Sequence, residues 1–222
     1  MIRAGWAVVF YLLLAACGGG GGNSSGPSGG GDDGPVVIGP PPVPQLPPPD
    51  PRIARLDGYE ALKIEVLGGS GSGRAGLVPT TADLPMQGTA AFTGFGSLRV
   101  EGAPVFTLFG DARVDVDFGT QQVSGDVRGF FGTGPDGQVA DYAGVLSLSA
   151  GSVRRDLLLD YAGSLSGAGQ QLAVTGRIEA TFLGDPIRAI SGVDLDTQVL
   201  RNGEAAGGTM LIVAKTPAVQ VP

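Results

Sequence analysis

The chain has no histidine, and its single cysteine is Cys17. Every Ser/His/Asp or Cys/His arrangement, and every His or Cys metal site, is thereby excluded from a folded domain downstream. No disulfide can form within one chain. Basic residues are also few, 14 Lys and Arg against 21 Asp and Glu, for a net charge of -7 and a pI near 4.5. Phosphate-backbone binding needs clustered cations, and these are scattered, so nucleic acid is excluded as a partner. The longest apolar run, Ala4 to Ala16, has 13 residues, too short for the roughly 20 that span a bilayer as a helix.

Glycine (40) and proline (17) are abundant and unevenly spread, which divides the chain into a low-complexity part and a turn-rich β part. Residues 1–16, with Arg3 ahead of the apolar run, read as a secretory signal peptide. The run ends in Leu14, Ala15, Ala16 and Cys17, which resembles the lipobox of bacterial lipoproteins. That resemblance implies that Cys17 is acylated and becomes the mature N-terminus, anchoring the protein in a membrane. Gly18 rather than Asp at the next position implies sorting to the outer membrane. Between Cys17 and Pro51, 21 of 35 residues are Gly or Pro, and no Lys or Arg occurs between Arg3 and Arg52. No core can form from such a segment, so residues 17–51 are expected to be a disordered tether, coil in its Gly/Ser part and polyproline II from Pro40 to Pro51.

Residues 52–85 are expected to form an N-terminal extension. Ile53, Leu56 and Tyr59 suit a helix while Leu62, Ile64 and Val66 alternate like a strand, and the balance favours a short edge element. Period-two alternation is cleanest from Arg113 to Phe131. There Val114, Val116 and Phe118 face one way, and after a turn Val123, Gly125, Val127, Gly129 and Phe131 follow, with Arg113, Asp115, Asp117, Ser124, Asp126 and Arg128 opposite. Like segments recur at Gly88 to Val100, Val105 to Phe118, Gln122 to Phe131, Asp141 to Ser149, Asp156 to Leu165, Gln171 to Phe182, Ile187 to Val193 and Gly207 to Ala214. Pro104, Pro135 and Pro186 all fall between them, where a missing N–H costs no ladder bond. No amphipathic helix interrupts the series, so parallel crossovers are excluded. The predicted fold of residues 86–215 is therefore an all-β, eight-stranded antiparallel up-and-down barrel with a side-chain-filled interior. A membrane-spanning barrel would need a lipid-facing apolar band, and the second face carries Arg, Asp, Glu and Ser instead.

Three motifs invite chemistry and are better read as turns or surface. Gly132, Gly134 and Gly137 match a dinucleotide loop, but strand residues follow Pro135-Asp136-Gly137 where a helix is required. Asp117-Phe118-Gly119 spells a kinase magnesium motif without its companion lysine strand or catalytic loop. Asp115, Asp117 and Asp126 share a face and offer oxygens to a hard cation, yet Arg113 and Arg128 lie on the same face, and cross-strand ion pairs are the simpler expectation. No catalytic, cofactor-binding or metal residue is assigned, no cofactor is expected, and the chain is not expected to be an enzyme.

Ala82 to Gly94 (ADLPMQGTAAFTG), Val116 to Gly125 (VDFGTQQVSG), Tyr142 to Leu148 (YAGVLSL) and Gly207 to Ala214 (GGTMLIVA) together resemble the barrel domain of transferrin-binding protein B and related surface lipoproteins. The resemblance spans about residues 80–215 and implies an outer-membrane lipoprotein whose barrel is a binding module, set in nutrient or iron acquisition. In that family handle domains accompany the barrel and contacts come largely from loops. Here only residues 52–85 stand between tether and barrel, so no binding residue is carried over. The ligand, protein or small molecule, is not specified by the sequence. The alternative is a structural or assembly lipoprotein facing the periplasm. The longest predicted loops, Gly132 to Asp141 and Asp194 to Ala206, are where a partner is expected to bind.

Overall fold

The computed structural model describes residues 50–217, apart from 70, 72 and 82. Cys17, the signal peptide and all but the last two residues of the tether lie outside that range. Helix α1 (Pro51–Leu67) is followed by a two-stranded ribbon, β1 (Gly68–Gly69) and β2 (Arg74–Ala75). The long strands are β3 (Thr89–Val100), β4 (Phe106–Asp117), β5 (Gln122–Thr133), β6 (Val139–Ala150), β7 (Asp156–Gly167), β8 (Gln170–Leu183), β9 (Ala189–Arg201) and, after the short β10 (Glu204–Ala205), β11 (Gly208–Lys215). Each pairs antiparallel with the next, β9 pairs with both β8 and β11, and β11 returns to β3. The eight long strands thus close into a barrel with the predicted up-and-down order, in which each of them has a partner strand on both sides.

Alternation fills the inside. Phe92, Leu98, Leu108, Val114, Leu146, Leu157, Leu159, Val174, Ile178 and Phe182 are fully buried in one continuous core, the filling expected when eight strands close. Leu84 and Ile187 pack against that core at one end of the barrel. The Arg201 guanidinium stacks 5.1 Å from the Phe106 ring centre at the other. Residues 77–81 run along the β8–β9 turn: Thr80 donates its N–H to the Phe182 carbonyl, and the Asp185 carboxylate accepts from the hydroxyls of Thr80 and Thr81.

The segment expected as an edge element is instead helix α1. Asp50 caps it, accepting from Arg52 N–H at 2.9 Å, and Pro51 begins it, where a missing N–H is no loss. Tyr59, Leu62 and Val66, spaced by three and four, form the apolar stripe that local alternation at 62, 64 and 66 had disguised. The stripe covers an aromatic patch on the outer wall. Tyr59 stacks on Phe95 at 5.0 Å between ring centres and lies 6.3 Å from Phe131, and Val213 belongs to the same cluster.

Phe131 reaches this patch because of a bulge. Phe109 pairs with Phe131 and Asp111 with Arg128, so β4 advances two residues while β5 advances three. Gly129, at φ +62°, takes the left-handed turn that the extra residue requires. The sequence pattern put Val123, Val127 and Phe131 on one face. The bulge keeps Val123 and Val127 inside, turns Phe130 inward and leaves Phe131 outside under the helix.

A polar clamp finishes the contact. The Tyr59 hydroxyl donates to Asp111 Oδ1 at 2.6 Å, and one Arg55 amino group donates to Asp111 Oδ2 at 2.9 Å and to the Gly129 carbonyl at 3.0 Å. Lys215 pairs with Glu65 at 2.7 Å, an exposed bridge of small energetic weight. Burial, with the Asp111 carboxylate as its acceptor, pushes the Tyr59 phenol up to about 12. A phenol whose folded value lies above its ordinary 10 favours the fold while neutral, so this stabilisation is intact below pH 10 and is lost as pH rises towards 12. Tyr59→Phe is therefore expected to lower stability by about 1.5–3 kcal/mol at pH 7, the range for a hydrogen bond to a charged acceptor. It should also flatten the alkaline decline between pH 10 and 12 in denaturant-unfolding midpoints. An alkaline decline identical to wild type would contradict this account of the clamp.

Candidate binding site at the β9 bulge

Neither predicted binding loop is a long loop. Strand β5 runs to Thr133 and β6 begins at Val139, so Gly132 to Asp141 reduces to a five-residue turn closed by Gly134 N–H to the Gln138 carbonyl at 2.7 Å. Asp194 to Ala206 is mostly strand, because β9 continues to Arg201 before turning at Asn202 and Gly203. The reason for the misreading is a second bulge. Between the pairs Thr175–Gln198 and Glu179–Val193, β8 advances four residues and β9 five. On the other side, between Gly208–Thr197 and Met210–Asp194, β11 advances two and β9 three. Both neighbours therefore place one extra residue in β9 between Asp194 and Thr197.

That residue reverses the inside-outside phase of the strand. Ile190 and Asp194 face inward before it, Thr197 and Val199 after it. Leu195 and Asp196 then both stand on the outer wall, and Leu195 is 71% exposed, the most exposed large aliphatic residue of the barrel strands. Bulges commonly re-aim side chains beside functional sites. Here an apolar and an anionic group are set next to each other, over a hollow of about 630 Å³. Val199, Leu200, Ala173 and Ala205 supply apolar lining, and Thr175, Gln198 and Thr209 supply hydroxyl and amide groups.

The bulge is pinned from inside. Where the β8–β9 ladder is interrupted, Asp194 Oδ2 accepts from Arg177 N–H at 3.1 Å and from the Tyr161 hydroxyl at 2.7 Å, while Oδ1 accepts from Asp196 N–H at 2.9 Å. Tyr161 also shares a hydrogen bond with Thr197 Oγ1 at 2.6 Å. Tyr161 and Thr197 are almost fully buried, 3% and 2% exposed. A buried polar group is tolerated only when partnered, and this trio is. Burial pushes the Tyr161 phenol far above its ordinary range. Gly176 makes room for it: a Cβ there would meet Asp194 Oδ2 at 2.2 Å and the Tyr161 hydroxyl at 2.4 Å.

A second, smaller groove of about 410 Å³ lies where α1 starts against the barrel, bordered by the exposed side chains of Ile53, Leu56, Val105 and Val139. Its two guanidinium groups are already engaged, Arg52 by Asp50 and Asp141, and Arg99 by Glu101.

The carboxylates weighed as a cation site do not converge. Arg113 pairs with Asp115 at 2.8 Å and Arg128 with Asp126 at 3.1 Å, each along its own strand rather than across the pair, because i and i+2 share a face and the long guanidinium lies down along it. Asp117 caps the β4–β5 turn, and the Thr120 N–H, with that of Gly119, holds its carboxyl below the usual range. Among the described residues no group of three or more Asp, Glu, His or Cys is placed to hold a metal. The two glycine and aspartate motifs, Gly132 to Gly137 and Asp117 to Gly119, both fall at hairpin turns.

Compared with known proteins, the chain matches no family model, no curated protein and no solved structure.

Asp194→Ala removes the shared acceptor of the Tyr161 hydroxyl and of the Arg177 and Asp196 N–H groups, leaving Thr197 as the remaining partner of the tyrosine. A loss of about 1–3 kcal/mol is expected in chemical denaturation. Gly176→Ala, which intrudes on the same carboxylate, should cost about 1–3 kcal/mol. Stabilities within about 0.5 kcal/mol of wild type for both variants would show that the bulge is not held by this carboxylate.

Proposed function

We propose that the protein is an outer-membrane lipoprotein, anchored through acylated Cys17, whose barrel serves as a rigid binding module with its contact surface on the wall at the β9 bulge. The observation that carries the binding role is the pair of Leu195 and Asp196, turned outward together over the 630 Å³ hollow and pinned by the half-buried Asp194 carboxylate. Large exposed apolar groups clustered over a concavity are what recognition surfaces present. The packed interior directs recognition outward, since an eight-stranded barrel filled by its own side chains offers its wall and turns. The Leu14 to Cys17 motif and the Gly/Pro-rich segment after it support a tethered anchor. The resemblance to the transferrin-binding protein B barrel supports display at the cell surface and a setting in nutrient or iron acquisition. A periplasmic assembly role shares the same anchor and fold, and differs in which side of the membrane the barrel occupies.

Three readouts test this reading. Cys17→Ala should move the protein from the membrane to the soluble fraction. Protease added to intact cells should degrade the wild-type barrel. Affinity capture from the native envelope should recover a partner with wild type that Leu195→Ser loses and Ile53→Ser keeps. Membrane retention of Cys17→Ala would contradict the anchor. Full protease protection would place the barrel in the periplasm, and equal capture by Leu195→Ser would remove the bulge as the contact surface.

A further inference from the structure

We infer that the hollow at the β9 bulge takes a polypeptide segment presenting an Arg or Lys side chain beside an apolar one. The inference rests on the binding role proposed for that hollow and names the chemistry of its occupant. Its basis is the phase reversal itself. Two consecutive residues of a regular strand point to opposite faces, whereas the extra residue sets Leu195 and Asp196 side by side on one wall. A ligand that satisfies both must carry an apolar group and a cation at adjacent positions.

The surrounding charge has one sign. The Asp196 carboxylate has no hydrogen-bond or ion-pair partner among the described residues, and only its backbone N–H is engaged, by Asp194. No Lys or Arg lines the hollow. The second acid on its rim, Glu101, is occupied by Arg99 at 2.7 Å, so Asp196 is the group left to meet an incoming cation. The net charge of -7 adds a long-range preference for a cationic partner. A second copy of the chain is disfavoured, because a two-fold contact through this face would set one Asp196 against the other.

A polypeptide fits the remaining lining better than a purely apolar molecule. Thr175, Gln198 and Thr209 offer donors and acceptors that main-chain amides can use, while Val199, Leu200, Ala173 and Ala205 give an apolar surface for one or two side chains. The Leu195 side chain, standing in solvent at the edge, is the contact that desolvation rewards. Asp196 decides among apolar peptides.

The test is an amide-shift titration of the full chain, in detergent, with three capped tripeptides: Leu-Arg-Leu, Leu-Gln-Leu and Leu-Glu-Leu. The Arg peptide should move the amide signals of Leu195 to Leu200. The Gln peptide should bind about two- to fivefold more weakly, the range an exposed ion pair supplies, and the Glu peptide more weakly still. Asp196→Asn should make the Arg and Gln peptides equal while leaving the thermal unfolding midpoint unchanged. Raising salt should narrow the difference in wild type. Equal binding of the Arg and Glu peptides at these amides would overturn the inference and leave the hollow a binding site. No shift with any peptide would overturn both, and shifts confined to Ile53, Leu56 and Val139 would move the site to the groove beside α1.

Discussion

One half-buried carboxylate of the barrel wall holds together the features that matter most. Asp194 sits where the β8–β9 ladder breaks, and it replaces the missing strand partners by accepting from Arg177 N–H, Asp196 N–H and the Tyr161 hydroxyl. Without such an acceptor, the extra residue of β9 would leave the Arg177 and Asp196 N–H groups without their protein partner on the strand that joins β8 to β11. Gly176 is the matching concession on β8, since no side chain fits in front of that carboxylate. The outward pair Leu195 and Asp196 follows from the same residue count. Closure, internal polarity and the external hollow are thus one arrangement seen from three sides.

The second bulge, at Gly129 in β5, has a different consequence. It turns Phe131 outward beside Phe95, and helix α1 covers the aromatic patch with Tyr59. A barrel wall otherwise rich in Arg, Asp, Ser and Thr would expose that patch to water without the helix. These two bulges thus each shape an apolar place on the wall, one covered by the chain itself and the other open.

How much of this was legible in the sequence depends on parity. The eight strands, their antiparallel order and the filled interior followed from alternation, because inward positions such as Leu172, Val174, Ile178 and Phe182 keep strict period two along β8. Strict alternation fails wherever one residue is inserted, and nothing in the side chains announces the insertion. Positions 193, 195, 197 and 199 share one parity, yet Val193 and Leu195 lie outside and Thr197 and Val199 inside, and the strand expected to end at Val193 runs on to Arg201. Phe131 was placed on the wrong face for the same reason. The helix was missed because Leu62, Ile64 and Val66 satisfy period two over five residues. The longer stripe Tyr59, Leu62 and Val66, with the Asp50-Pro51 start, was the stronger signal. What pins the β9 bulge draws on Tyr161, Gly176, Asp194 and Thr197, residues brought together only by barrel closure.

Everything at the β9 wall depends on Leu195 and Asp196 sharing the outer face while Thr197 lies inside. Single cysteines at 195, 196 and 197, reacted with a water-soluble maleimide and mapped by mass spectrometry so that Cys17 is scored separately, measure it directly. Rapid labelling at 195 and 196 with protection at 197 is the predicted pattern. Protection at 195 alongside rapid labelling at 196 would mean that β9 alternates without interruption, and the account of the site would be wrong.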